Sequence, residues 1–150
     1  TEILSREVKN DLIASGFVPN KTKCIWIPVQ LLEFLGAVLN SLNGKIFIPE
    51  RRVQKVFSTI DSILESIKVH RRVKVRSVAS IVGQLISMSV VIGHISQIMS
   101  RSLSTDVLLA HHWDQYIALS DQSIRQLHFW KLHLESINTG FEVSSIYEWC

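Results

Sequence analysis

Residues 16–36 read GFVPNKTKCIWIPVQLLEFLG, and the order of punctuation within them decides what the rest of the chain can be. A turn at Asn20-Lys21-Thr22-Lys23 comes first, then Pro28, then Glu33-Phe34-Leu35-Gly36. Asn tolerates tight turns, proline is confined to strand edges, and glycine takes backbone shapes closed to other residues. Short strands and turns are therefore expected here, with strands over 24–28, 32–40 and 45–48 and a hairpin turn at Leu42-Asn43-Gly44.

Outside this stretch the pattern is helical. Ile3, Leu4, Val8, Leu12 and Ile13 fall near a 3.6-residue stripe that predicts a helix from Glu2 to Ser15, with Gly16 suited to its end. Pro49-Glu50 opens a second helix to about Lys68 along Val53, Val56, Phe57, Ile60, Ile63, Leu64 and Ile67. Ser77 is the expected N-cap of a helix running to Ile92 and stopping near Gly93. Further helices are expected over His94–Leu103, Asp106–Leu119 and Asp121–Asn138, and residues 141–150 read as the beginning of a strand. The fold class is α+β, mainly α.

Charge is unevenly spread. Residues 1–65 hold 8 Lys/Arg against 7 Asp/Glu, residues 66–105 hold 6 against none, and residues 106–150 hold 2 against 6. Forty residues without a carboxylate create a positive field that favours a polyanion. The densest part is Lys68-Val-His70-Arg71-Arg72-Val-Lys74-Val-Arg76, where bases alternate with valines; a solvated connector would carry the same composition. Cys24 and Cys150 lie too far apart for a disulfide framework or a metal spacing, which fits reduced thiols in an intracellular protein. Ser77 to Ser100 is uncharged, but Ser77, Ser80, Gln84 and Ser87 recur on one helical face, and His94 and Gln97 add polarity. That argues against a membrane span. The chain starts at Thr1 inside a helical pattern and ends on Tyr-Glu-Trp-Cys, so a piece of something longer is expected.

Gly16, Phe17, Asn20 and Lys23 occupy the places of a Gly-Phe-x-x-Asn-x-x-Lys turn that resembles one in the palm of reverse transcriptases. Pro28 followed by Phe34-Leu35-Gly36 is similar to the primer-grip signature of that family, although two surface lysines and a core tripeptide would look the same in isolation. Ile81-Val82-Gly83-Gln84-Leu85 stands where a retroviral thumb has Val-Gly-Lys-Leu, and Ala79 and Ser87 stand where the family usually has Gln and Trp. Together with Ile92-Gly93-His94, Met99-Ser-Arg101, Trp113-Asp114, Leu119-Ser120, Phe129-Trp130 and Asn138, these residues resemble the region joining polymerase to ribonuclease H in DIRS-type retrotransposons, which mobilise with a tyrosine recombinase.

The resemblance implies three parts: a C-terminal piece of palm over 1–48, a helical thumb over 49–103, and a connection over 104–150. It implies an RNA–DNA or DNA primer–template duplex as partner, alongside the rest of the palm and fingers and a ribonuclease H domain. Lys23 would face the nucleotide, and Phe34, Leu35 and Gly36 would grip the primer. Lys68, Arg71, Arg72, Lys74 and Arg76 would neutralise phosphates, with Ala79, Gly83 and Ser87 forming a smooth sliding face. Mg²⁺ belongs to the full-length polymerase. This chain has no Asp-Asp pair and no metal-ligand spacing among its six histidines, so the isolated chain is expected to be inactive. Trp113, Phe129 and Trp130 read as core aromatics rather than base-stacking platforms, because aromatics on helices usually pack. The rival reading is a non-catalytic helical module, derived from a retroelement, that binds protein.

Overall fold

A 21-residue helix with one apolar stripe organises the molecule. The computed structural model describes residues 2–142. In it, α2 (Glu50–His70) buries Val53, Val56, Ile60 and Ile63, and Phe57, Leu64 and Ile67 pack at the margins of the same core. This is the stripe expected from the sequence. The helix ends at Arg71, a left-handed residue (φ 56°) whose N–H bonds back to the Ile67 carbonyl at 2.9 Å.

Before α2 lie α1 (Glu2–Ala14) and a meander of β1 (Leu31–Phe34), β2 (Ala37–Asn40) and β3 (Lys45–Phe47). The expected strand over 32–40 is in fact two strands, because Leu35 (φ 50°) and Gly36 (φ 79°) reverse the chain. Phe34 faces Ala37 across this two-residue loop, and two left-handed residues in such a loop match the right-handed twist of a hairpin. Residues 24–28 are not a strand. Pro28 has no N–H to give, and the segment instead lies along α1, where Ser5 Oγ donates to the Trp26 carbonyl and Lys9 Nζ sits 5.6 Å from the Trp26 ring centre.

After α2 the chain forms β4 (Val73–Lys74), α3 (Val75–Ile86), α4 (Ser89–Ile92), α5 (Ile95–Ile98), α6 (Arg101–Leu108), β5 (Tyr116–Ile117), α7 (Asp121–Ile137) and β6 (Phe141–Glu142). Three expectations need correction. The helix expected over His94–Leu103 is two, α5 and α6, interrupted at Met99-Ser100. The helix expected from Ser77 to Ile92 starts at Val75 and breaks at Ser87-Met88, where Met88 turns into the core. The helix expected over Asp106–Leu119 ends at Leu108. There the Gln115 carbonyl accepts from Val75 N at 3.0 Å, drawing Tyr116-Ile117 into an antiparallel pair with β4.

The larger sheet runs β1-β2-β3-β6, all antiparallel. Gly140 (φ 93°) precedes β6, and a side chain there would collide with Phe47 and Lys45. The rest of the strand expected over 141–150 falls outside the described residues. One hydrophobic core joins Ala37, Ile46 and Ile48 of the sheet to α2, α3, Leu103 of α6, and Leu127, Trp130 and Leu134 of α7. Trp130 is fully buried, and its Nε1 donates to the Met99 carbonyl at 2.9 Å. Asn138 answers both backbone groups of Ile48, accepting from its N–H at 2.8 Å and donating to its carbonyl at 3.0 Å. No helix among the described residues is long and apolar enough to cross a membrane.

Candidate nucleic-acid interface

The β1–β2 turn, the end of α3 and the start of α2 meet at one side chain that the motif reading missed. Arg52, on the first turn of α2, donates Nη1 to the Gly36 carbonyl at 2.7 Å and Nη2 to Ser87 Oγ. A guanidinium fork can hold two acceptors in a fixed plane, so Arg52 clamps the hairpin loop against the helix break. Any Cβ on Gly36 would strike that guanidinium. Beside it Arg51 pairs with Glu33 of β1. The hydrogen bond that Arg51 donates to Glu33, then the carboxylate's charge, holds the Arg51 guanidinium above its ordinary pKa. The only hint in the sequence is that Arg52 directly precedes the buried Val53, at the margin of the apolar stripe.

Phe34 and Leu35 project outward at the loop, Leu35 with 87% of its surface exposed. Beneath them a cavity of about 150 Å³ runs between the hairpin and α4, lined by Phe34, Ala37, Ile46, Met88 and Val91 among others. From Ser87 a polar stripe leads back along α3 through Gln84, Gly83, Ser80 and Ala79 to Arg76, a span of about 16 Å at 1.5 Å per residue. A Cβ on Gly83 would meet nothing within 4 Å, so that part of the stripe is open. Gln84 Nε2 reaches Ser80 Oγ at 3.2 Å and Thr59 Oγ1 of α2 at 3.3 Å, while its Oε1 is buried without a partner among the described residues.

The alternation of bases and valines resolves only in its second half, for Val69 is exposed along with the bases around it. Val73 and Val75 are buried, whereas Lys68, Arg71, Arg72, Lys74 and Arg76 are exposed. Two of the five are engaged: Arg76 Nε lies 2.9 Å from Asp114 Oδ1, and Lys74 Nζ lies 5.7 Å from the Tyr116 ring centre.

Lys23 stands apart from this surface. Its turn is built by Asn20, whose Oδ1 accepts from Thr22 N at 2.9 Å, Thr22 Oγ1 at 2.7 Å and Lys23 N at 3.1 Å. The Lys23 side chain is exposed and shares no hydrogen bond or ion pair with the hairpin loop or α3. Lys21, not Lys23, joins Lys9, Ile13, Phe17 and Trp26 around a depression of about 430 Å³.

The aspartates do not fit a Mg²⁺ pair. Asp61 is bonded to Lys131, Asp114 to Arg76, and Asp106 Oδ2 accepts from Ser120 N, Ser120 Oγ and Ser123 Oγ. Among the described residues no group of three or more His, Cys, Asp or Glu could hold a metal ion.

Of the three aromatics expected in the core, Trp130 is fully buried and Phe129 packs against the core, edge-on to Trp130 at 5.3 Å. Trp113 is not in the core. It lies in the irregular loop before β5, with 60% of its surface exposed, because the helix expected to carry it ends five residues earlier. No protein-family model matches the chain, and no characterised protein or solved structure matches it either.

Proposed function

We propose that this chain is the primer–template-holding part of an RNA-directed DNA polymerase of an intracellular, DIRS-type retrotransposon, with the metal-binding aspartates and Mg²⁺ held elsewhere in the full-length enzyme. The observation that carries the reading is the Arg52 clamp, which sets the Phe34-Leu35-Gly36 loop against Ser87 at one end of the open α3 stripe. A duplex lying along that stripe would meet the loop at one end and the exposed bases of β4 and early α3 at the other. Lys68, Arg71, Arg72 and Lys74 are available to phosphates, and Arg76 becomes available on leaving Asp114. Lys23 keeps its proposed place beside the nucleotide, on a turn whose shape Asn20 fixes. A protein-interaction module is the second reading. It is favoured by α1, whose Ile3, Leu4, Val8 and Ile13 are all exposed.

Fluorescence anisotropy with a labelled RNA–DNA hybrid separates the two. The first reading expects sequence-independent binding at about micromolar Kd in physiological salt. It also expects a log–log salt slope of about −3.6 for four phosphate contacts at about −0.9 each. Replacing Arg71, Arg72 and Lys74 with Glu should remove that binding while circular dichroism stays unchanged. Binding that ignores salt and the triple reversal, or no binding at all, would overturn the first reading in favour of the second.

A further inference from the structure

The β4–β5 pair brings aromatic rings to the basic strand. Trp113 and Tyr116 are both exposed large side chains, and they flank the ion pair of Arg76 with Asp114. Tyr116 stands directly across from Lys74 in the register, close enough for its ring to face the ammonium. Arg72 and Tyr116 line one depression of about 330 Å³, and Trp113 with His111 and His112 lines another of about 240 Å³ next to Val75. Trp113 has no part in the core, and its exposed ring offers an apolar, planar face.

Charge selects the contact. Asp114 is paired with Arg76, and Asp106, which lines the same depression as Arg72 and Tyr116, directs Oδ2 to the two serines at the start of α7. Arg72 and Lys74 outnumber that carboxylate, and basic side chains beside exposed rings are the combination that takes a strand whose phosphates are neutralised while its bases stack. A paired duplex keeps its base faces covered and cannot use the rings.

We infer that the patch formed by Trp113, Tyr116, Arg72 and Lys74 binds an unpaired nucleic-acid strand, with a base stacked on Trp113. This rests on the nucleic-acid reading above and adds to it an aromatic contact with a different preference, which shares Arg72 and Lys74 with the duplex-binding bases. A fluorescein-labelled oligothymidylate of about 12 nucleotides reports the single strand and a blunt RNA–DNA hybrid reports the duplex, both measured by anisotropy at one salt concentration. Trp113→Ala should weaken oligothymidylate binding about 5- to 150-fold, the loss of one stacked base, and leave hybrid binding within about twofold. Trp113→Phe should restore most of the loss, and Tyr116→Ala should act in the same direction as Trp113→Ala. Equal losses on both probes, or no loss on the single strand, would overturn the inference. Hybrid binding without any oligothymidylate binding would overturn it alone, and failure to bind either probe would overturn it together with the proposed function.

Discussion

Leu35 spends backbone energy without a folding return. A β-hairpin loop with two left-handed residues favours Asn-Gly, and leucine in that conformation costs about 1–2 kcal/mol. The side chain recovers nothing by burial, since it is the more exposed partner of the loop. Strain kept at an exposed position points to a contact made outside the fold. Leu35→Asn should therefore raise stability by about 0.5–1 kcal/mol in urea titration while weakening hybrid binding about three- to tenfold. A gain in both, or a loss in both, would place the leucine's role in the fold. Phe34-Leu35-Gly36 was singled out in the sequence, but the reversal at Leu35-Gly36 was not, because leucine is an unusual choice for a left-handed turn position. Nor was Arg52: its two acceptors lie 16 and 35 residues away, and nothing local marks a side chain that works across such separations.

At the level of elements, α2 was readable nearly end to end from its apolar stripe, and α7 fills the expected Asp121–Asn138 to within one residue. α7 begins where Ser120 accepts from Ser123 N, and Asp106 reinforces that cap from another helix. Asp106→Ala should cost about 1–2 kcal/mol in urea titration, the range for losing a cap, with the midpoint falling and the slope unchanged. A change below about 0.5 kcal/mol would mean that Ser120 suffices alone. Two of the misread segments share one cause. Residues 24–28 and 109–115 carry ordinary local preferences, and both were decided by tertiary partners, α1 in the first case and β4 in the second. The same β4 contact moved Trp113 from the expected core to the surface.

Across the whole molecule, residues from all three expected parts meet in one core, and Trp130 is its largest fully buried side chain. Trp130→Ala should cost about 3–5 kcal/mol. Trp130→Phe should cost about 1–3 kcal/mol, because the Met99 carbonyl loses its donor while much of the ring volume remains. Calorimetry and near-ultraviolet circular dichroism should follow one coincident transition in each variant. Two separated transitions would show that the sheet and the helices melt independently. The hydrophobic pattern announced a mainly helical protein with a small sheet. Of the strand expected over 141–150, Phe141-Glu142 pairs with β3, and the remainder lies outside the described residues.

The bond pair between Asn138 and Ile48 joins residues ninety positions apart. During synthesis, at about 5–20 residues per second, β3 leaves the ribosome roughly 5–20 seconds before Asn138 and β6 can cover its outer edge. For that interval the nascent chain carries an open strand edge beside apolar side chains still awaiting α7. The molecule is thus most vulnerable to mispairing with a neighbour while it is being made, and Asn138 with Phe141-Glu142 acts as the latch that ends the exposure.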